Sequence, residues 1–205
     1  MWTSRTARIA FFPLVAAAIA GPAGAQILRP TPPETMQIEE QPGYEPSPEE
    51  ERAPAAFQRQ LVFFRTTEAP GTIIVHTSER YLYVVQGNNR ALRYGIGVGR
   101  EGFQWQGLVR ISRKAEWPDW TPPPEMITRQ PYLPRFMAGG PGNPMGARAL
   151  YLGETVYRIH GTNQPQTIGE AVSSGCFRLV NPDVIDLYDR IPVGTRVVVR
   201  QAPEM

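Results

Sequence analysis

A single cysteine and a histidine sixteen residues before it are the residues of this chain best suited to covalent chemistry. Cys176 is the only cysteine among 205 residues, and His160 is one of only two histidines. A thiol attacks a carbonyl as the thiolate, and a neighbouring imidazole is the usual base that generates it. The pair therefore predicts nucleophilic acyl chemistry. The alternative is that Cys176 is buried as a small apolar residue.

The residues next to Cys176 indicate how the main chain would assist. Gly175 lets the backbone approach a substrate carbonyl closely. We expect backbone N–H groups around Gly175 and Cys176 to stabilise an oxyanion. Ser173 and Ser174 complete this turn. A hydrogen bond within the turn explains Ser173 at least as well as a part in catalysis does.

Short strands must position this pair, because the sequence has the spacing of an antiparallel or mixed β domain, mostly β with one or two short helices. The predicted strands are residues 72–76, 81–86, 91–98, 107–113, 149–152, 156–160 and 195–200. Residues 87–89, Gly-Asn-Asn, tolerate a positive φ and predict a tight hairpin. Asn181 is predicted to cap a helix over residues 183–190. His160 then ends a strand, and Cys176 lies in a turn before the helix.

Residues 117–145 break the strand pattern, with eight prolines and two tryptophans at no regular period. A loop this long in a compact domain is usually functional or disordered, and its aromatic and methionine side chains argue against disorder. We interpret it as a packed loop subdomain beside the site, with Trp120 or Tyr132 near a bound ligand. The alternative is a structural excursion that fills one side of the fold.

The N-terminus has the features of an export signal. Arg5 and Arg8 form a basic region, residues 9–20 are apolar but short for a membrane span, and residues 23–25 form a small-residue cleavage pattern. We therefore expect a signal peptide over residues 1–25 and no membrane span after its removal. An uncleaved amphipathic anchor is the alternative.

Residues 26–60 hold seven prolines, seven acidic residues and few large apolar side chains. Such a segment buries too little surface to offset its ordering entropy, so we predict a disordered linker before a catalytic domain at residues 61–205. That domain carries sixteen basic and twelve acidic residues, a net charge of +4, which suits an anionic substrate. Nucleic acid is not an expected partner, because an exported chain would need a basic cluster to bind it.

The site residues resemble the signature of the L,D-transpeptidases of bacterial cell walls, which have a YkuD-type catalytic domain. The resemblance rests on residues 160–163, His-Gly-Thr-Asn, and 173–179, Ser-Ser-Gly-Cys-Phe-Arg-Leu. It extends over about residues 70–200, with further similarity in residues 139–152, 181–188 and 193–198. Many members have a second histidine two positions before the cysteine, where this chain has Ser174.

The resemblance implies a mostly β domain, a sandwich or barrel with a Pro-rich loop subdomain, acting on peptidoglycan stem peptides in the periplasm. Cys176 would attack the carbonyl after the third residue of a tetrapeptide stem and release D-alanine. The amine of a second stem would resolve the thioester as a 3→3 cross-link, with no metal or cofactor. His160 would be the base, with the Gly161 carbonyl orienting its second ring nitrogen. Arg178 would lower the thiol pKa or pair with a stem carboxylate, with a surface salt bridge as the alternative.

Other acceptors and another function class stay open. Water as the acceptor would give an L,D-carboxypeptidase, and the amine of an outer-membrane protein would give an anchoring transpeptidase. A non-catalytic peptidoglycan-binding module would need no nucleophile, so the Cys176 and His160 pair argues against it. His76 has no motif around it and is interpreted as a structural histidine.

Overall fold

The computed structural model describes residues 41–201, and over this range the fold is mostly β, as predicted. The described strands are β1 (Gln60–Phe63), β2 (Ile73–His76), β3 (Tyr81–Gly87), β4 (Arg90–Gly95), β5 (Val98–Gly99), β6 (Gly107–Glu116), β7 (Arg148–Leu152), β8 (Arg158–His160), β9 (Ala171–Ser173), β10 (Phe177–Arg178) and β11 (Arg196–Arg200). The helices are α1 (Pro124–Arg129) and α2 (Asn181–Arg190), with turns of 3-10 helix at Ala55–Phe57 and Pro165–Thr167. The expected signal peptide and residues 26–40 of the expected linker lie outside the described residues. Between residues 41 and 201, no helix is long and apolar enough to cross a bilayer.

Nine strands form one sheet in the order β1-β4-β3-β2-β11-β6-β7-β8-β10, and β5 pairs with β9 separately. Side chains from distant strands, such as Ile73 of β2 and Leu150 of β7, belong to one core cluster with Leu187 of α2. The sheet therefore curves around its own apolar face, in agreement with the expected β sandwich or barrel. Most neighbouring pairs of this sheet are antiparallel, but β2 with β11 and β8 with β10 are parallel.

The predicted hairpin between β3 and β4 is present. Gly87, Asn88 and Asn89 have φ values of 83°, 50° and 53°, which is the conformation that selects these residue types. Strand β1 was missed in the sequence, because it begins inside the acidic, Pro-rich segment. Its Leu61 and Phe63 side chains are exposed, whereas Val62 packs on the outer face of the sheet.

Residues 41–59 are packed against the domain, so the prediction of a disordered linker is wrong for this part of the chain. We call this segment the N-terminal strap. The Asn163 side-chain amide donates to the Gln41 carbonyl at 2.7 Å. The Asn181 side-chain amide donates to Glu51 Oε1 at 2.8 Å. The composition of this segment predicted that it buries too little apolar surface to be ordered. The hydrogen bonds from Asn163 and Asn181 help to hold the strap against the domain.

Phe57 adds an apolar anchor to the strap. It lies against Gly95 and Gly169, where an added Cβ would come within 2.3 Å and 2.2 Å of Phe57 atoms. Gly169 therefore makes room for the ring, and Gly95 makes room for the Phe57 backbone and Cβ. Arg59 extends the attachment to α2 through an ion pair with Asp186 at 2.8 Å.

Helix α2 begins at Asn181, but the predicted Asn cap is wrong. Val180 occupies the cap position, with no side-chain cap hydrogen bond. The Asn181 side-chain Oδ1 instead accepts the Ala147 N–H at 2.9 Å, while the side-chain Nδ2 donates to Glu51 Oε1. Because both ends of the side chain have long-range partners, Asn181 ties the strap to the loop before β7.

Residues 117–145 form the packed subdomain that the sequence predicted. Trp120 pairs with Met137 through a β-bridge, and α1 places Met126 under this bridge in a small separate core. The six-residue helix α1 was not predicted, because it follows consecutive prolines and lacks a periodic apolar face.

Candidate active site

Two adjacent parallel strands bring the histidine and the cysteine together. Strand β8 ends at His160, and Cys176 immediately precedes β10, which pairs with β8 so that Arg178 lies opposite His160. Both residues line one small pocket of about 50 Å³. The apolar part of its lining is Trp120, Pro123, Met126, Pro144, Met145 and Val156, and the polar part is Arg158, His160, Ser173, Ser174, Cys176 and Arg178.

A larger open groove of about 710 Å³ lies elsewhere on the domain, lined by Arg110, Arg190 and Arg196 among others. Its lining contains neither cysteine nor histidine, so volume alone is a poor guide to the reactive site. The small pocket is the better candidate, because a nucleophile, a base and cations meet in it.

The Cys176 thiol is half-buried, and its Sγ atom lies 4.0 Å from the Val156 carbonyl oxygen. Val156 itself is exposed, so the thiol lies at the edge of the domain and not in its core. This position is inconsistent with the interpretation of Cys176 as a buried packing residue.

His160 is buried, with 3% of its surface exposed. Its Nδ1 atom lies 2.6 Å from the Gly161 carbonyl oxygen, the contact that the sequence predicted. A carbonyl only accepts, so Nδ1 carries the proton and Nε2 is the basic nitrogen. Burial, and then the charge of Arg178, lower the pKa of His160 to about 3. The imidazole is therefore neutral at physiological pH and can accept a proton.

Arg178 is buried to 1% exposure, so the interpretation as a surface arginine in a salt bridge is wrong. Its main chain pairs with Gly97, and its side chain lines the pocket with Cys176 and His160. A buried guanidinium beside the thiol favours the thiolate over the thiol.

Ser173 organises the turn that carries the nucleophile. Its hydroxyl donates to the Cys176 carbonyl at 2.7 Å and accepts the Gly175 N–H at 3.2 Å. The turn interpretation of Ser173 is therefore supported. The Gly175 N–H is engaged within the turn in the resting site. The oxyanion role expected for the N–H groups of Gly175 and Cys176 stays a prediction.

Gly175 is required by both conformation and packing. Its φ is +106°, and an added Cβ would lie 2.5 Å from the Tyr157 ring. Trp105 stacks on Tyr157 at a centroid distance of 4.8 Å and donates its indole N–H to the Gly175 carbonyl at 2.9 Å. An aromatic pair thus holds the nucleophile turn from behind.

The remaining predicted site residues separate into two groups. Trp120 lines the pocket and Gly161 contacts His160, but Tyr132 is exposed, bonds to Gln130 and does not line the pocket. Ser174 lines the pocket and accepts a hydrogen bond from Arg129 Nη2 at 3.1 Å.

Sequence reasoning missed several residues that shape the site. Arg158 lines the pocket from β8, and its charge also lowers the pKa of His160, although burial and Arg178 have the larger effects. Asn181 supports the histidine loop, because an added Cβ on Gly161 would lie 2.4 Å from Asn181 Oδ1. The clearest sequence signal for Arg158 was its place two residues before His160 on the same strand, since alternate residues share a face.

A sequence model of the YkuD L,D-transpeptidase catalytic domain matches residues 70–199 of the chain. The chain is 41% identical over 140 residues to the probable L,D-transpeptidase ErfK/SrfK of Escherichia coli K12, a match that covers 64% of this chain and 44% of that protein. It is 38% identical over 147 residues to the probable L,D-transpeptidase YbiS of the same strain, covering 67% of this chain and 47% of that protein. The chain thus spans about half the length of these relatives.

The fold is also similar to that of a solved L,D-transpeptidase from Mycobacterium smegmatis. The TM-score is 0.50 at 16% identity, over 64% of this chain and 59% of that chain. At this identity the similarity concerns the fold alone, and it agrees with the mostly β architecture.

Proposed function

The chain belongs to the family defined by the YkuD L,D-transpeptidase catalytic domain, and from this we propose that it joins peptidoglycan stem peptides through a thioester on Cys176. The observation that carries the proposal is the pocket in which Cys176, His160 and Arg178 meet at the ends of two paired strands. This arrangement supplies a nucleophile, a neutral base and a fixed positive charge within one small space.

In the first step, the Cys176 sulfur attacks the carbonyl carbon after the third residue of a tetrapeptide stem. His160 accepts the thiol proton, and the Arg178 guanidinium stabilises the negative charge that develops at the sulfur. The C–N bond to the terminal D-alanine then breaks. His160 returns the proton to the leaving amine, and the third residue stays attached to the enzyme as a thioester.

In the second step, the side-chain amine of a second stem attacks the thioester carbonyl. The amine attacks in its neutral form, and the imidazole of His160 takes a proton from the nitrogen as the new C–N bond forms. The C–S bond then breaks, His160 returns this proton to the sulfur, and the free thiol and an amide remain. The product is a 3→3 cross-link, formed without net oxidation or reduction.

The apolar lining of the pocket favours acyl transfer over hydrolysis. Trp120, Met126 and Met145 form an apolar side of the pocket, which would keep water from that side of the thioester. We therefore place the stem amine ahead of water as the acceptor. The signal-like sequence of residues 1–25 supports the periplasm as the compartment of the reaction.

The test is to incubate the purified protein with a disaccharide tetrapeptide and to identify the products by mass. A cross-linked dimer with release of D-alanine supports the proposal. A tripeptide without dimer indicates an L,D-carboxypeptidase, and transfer only to an added outer-membrane protein indicates an anchoring enzyme. Binding with no covalent product from the wild-type protein would contradict the enzyme assignment and indicate a binding module.

A further inference from the structure

The loop that follows β8 lies against the loop that precedes β7, and one side-chain amide lies between them. An added Cβ on Gly161 of the first loop, or on Gly146 of the second, would lie 2.4 Å from Asn181 Oδ1. The same oxygen accepts the Ala147 N–H at 2.9 Å. The orientation of the Asn181 amide therefore fixes how the two loops pack together.

Both loops also contact the ring of His160. Its Nδ1 atom lies 2.6 Å from the carbonyl oxygen of Gly161 in the first loop. Burial has the largest effect on the pKa of His160, and backbone hydrogen bonds with Gly161 and with Met145 of the second loop oppose it. A shift of one loop against the other would therefore move the base relative to the Cys176 thiol.

Glu51 of the N-terminal strap sets the orientation of the Asn181 amide. Its Oε1 atom accepts a hydrogen bond from Asn181 Nδ2 at 2.8 Å. An ionised carboxylate only accepts, so it selects the amide orientation in which Nδ2 faces the strap and Oδ1 faces the loops. A bond to a charged acceptor is also stronger than one between neutral groups.

A short turn of the strap presents Glu51 to this amide. The N–H groups of Glu50 and Glu51 donate to the Ser47 carbonyl at 3.0 Å and 3.1 Å. Glu50 Oε2 accepts the Ser47 N–H at 2.8 Å, which closes the turn. Two residues further on, Ala53 is buried in one cluster with Val180, the cap residue of α2. The carboxylate is thus anchored on both sides along the chain.

The strap meets the same two loops at a second point. The Gly43 N–H donates to the Gly142 carbonyl at 2.8 Å, ahead of β7. Asn163, three residues after His160, donates Nδ2 to the Tyr44 carbonyl at 3.0 Å and to the Gly142 carbonyl at 3.2 Å. The strap therefore supports both loops that hold the histidine.

We propose that Glu51 is a positioning residue for His160, acting through Asn181, so that the strap belongs to the acyl-transfer site. This inference rests on the proposed function. Without the carboxylate, Asn181 Nδ2 loses its acceptor and the amide can turn, which lets the two loops shift. A displacement of about 1 Å caused by a change far from the chemistry can lower a rate about 100-fold.

Acylation kinetics of three variants test the proposal. Glu51→Ala removes the acceptor, Glu51→Gln keeps a carbonyl acceptor of the same length, and Glu49→Ala removes an exposed carboxylate from the same turn. We expect Glu51→Ala to lower kcat for acylation about tenfold, in line with the loss of a charged hydrogen bond. KM should stay within about twofold, because Glu51 does not line the pocket.

Rescue by glutamine separates positioning from a general loss of stability or charge. Glu51→Gln should return kcat to within about threefold of wild type, and Glu49→Ala should leave it unchanged. A folded Glu51→Ala variant with the kcat of Glu49→Ala would overturn the proposal. A Gln variant as slow as the Ala variant would overturn the route through Asn181, because the charge and not the hydrogen bond would then matter.

NMR of ¹⁵N-labelled histidine, without substrate, separates failure of this inference from failure of the proposed function. The chain has two histidines, and His76, whose Nδ1 binds Glu79, is the internal reference. Glu51→Ala should shift or broaden the His160 Nδ1–H signal and leave that of His76 unchanged, and Glu51→Gln should restore it. This result supports the proposal even if the wild type is inactive. An unchanged His160 signal in Glu51→Ala would refute it even if the wild type forms cross-links.

Discussion

The Nδ1 atom of His160 lies 2.6 Å from the carbonyl oxygen of Gly161, the next residue along the chain. This bond sets the tautomer, so that Nε2 holds the lone pair, a task that a carboxylate performs in many other hydrolases and transferases. Burial, and then the charge of Arg178, lower the pKa of the ring by more than the backbone hydrogen bonds to Gly161 and Met145 raise it. The resting site is therefore predicted to contain a neutral imidazole.

Replacement of His160 by glutamine should lower the rate of Cys176 acylation by about 100- to 10,000-fold, the usual value of a general base. Because the pKa of His160 is lowered to about 3, the wild-type rate should show no loss of this base as pH falls through 6.5. Stopped-flow acylation between pH 4 and 8 measures both effects.

The control is His76→Gln. His76 is buried and binds Glu79 Oε2 through Nδ1 at 2.9 Å, away from the pocket lining. We expect it to leave acylation within a few-fold of wild type. An acid limb centred near pH 6.5 that His160→Gln removes would contradict the lowered pKa of His160, whereas an equal loss of acylation in both variants would refute its role as the base.

Substitution of Gly175 by alanine should disrupt the nucleophile turn. The residue has φ +106°, and the new methyl group would lie 2.5 Å from Tyr157, which Trp105 holds in place. We expect the free energy of unfolding to fall by about 1–3 kcal/mol and acylation to be severely reduced. Thermal unfolding and donor acylation measure the two effects.

Gly194→Ala separates backbone strain from the clash. Gly194 has φ +89° with nothing within 4 Å of an added Cβ, and it lies outside the pocket lining. It should cost about 1 kcal/mol and leave acylation intact. If Gly175→Ala behaves like Gly194→Ala, the contact with Tyr157 does not constrain the turn.

The strap leads to a prediction about stability. Phe57→Ala empties the space beside Gly169, where the edge of the ring lies, and should lower the free energy of unfolding by about 2 kcal/mol, since the ring is only partly buried. Phe63→Ala is the matched control, because this ring is 71% exposed and should cost less than about 0.5 kcal/mol. Equal midpoints in urea for the two variants would mean that the strap does not stabilise the domain.

The sequence predicts a feature of this fold when the feature depends on residues that are close together in the chain. The hairpin at residues 87–89 and the end of β8 at His160 follow from residue type and alternation, and both were predicted. The burial of Arg178 was not predictable, because it depends on pairing with Gly97, more than eighty residues earlier.

The same limit explains the strap and the contact between Arg129 and Ser174. Composition predicted disorder for residues 41–59, since their anchors, Asn163 and Asn181, lie more than a hundred residues away. Arg129 meets Ser174 only through the fold. Motif residues were thus visible in the sequence, and the residues that support them were not.

Asp183 gives a pH-dependent prediction. Burial raises the pKa of its carboxyl to about 6, although Arg59 opposes this. Because the folded pKa lies above the unfolded value of 3.8, the protonated form stabilises the fold below pH 3.8, and this contribution is lost as pH rises through 6. The free energy of unfolding of wild type relative to Asp183→Asn should therefore fall by about 2 kcal/mol between pH 4 and pH 7.

Urea unfolding of both proteins at several pH values tests this. Groups common to both proteins, His160 among them, cancel in the difference. Parallel profiles, or a wild type that gains stability relative to Asp183→Asn as pH rises, would show that burial does not raise the pKa of the Asp183 carboxyl.

The central claim is that Cys176 forms a thioester with the donor stem. Intact-mass spectrometry of the protein after brief incubation with a tetrapeptide donor, without an acceptor amine, tests it most directly. The account predicts that wild type gains the mass of the donor less D-alanine, that peptide mapping places this mass on Cys176, and that a folded Cys176→Ala variant gains nothing. A wild-type protein that releases D-alanine with no adduct at any time point, or a Cys176→Ala variant that still forms one, would contradict it.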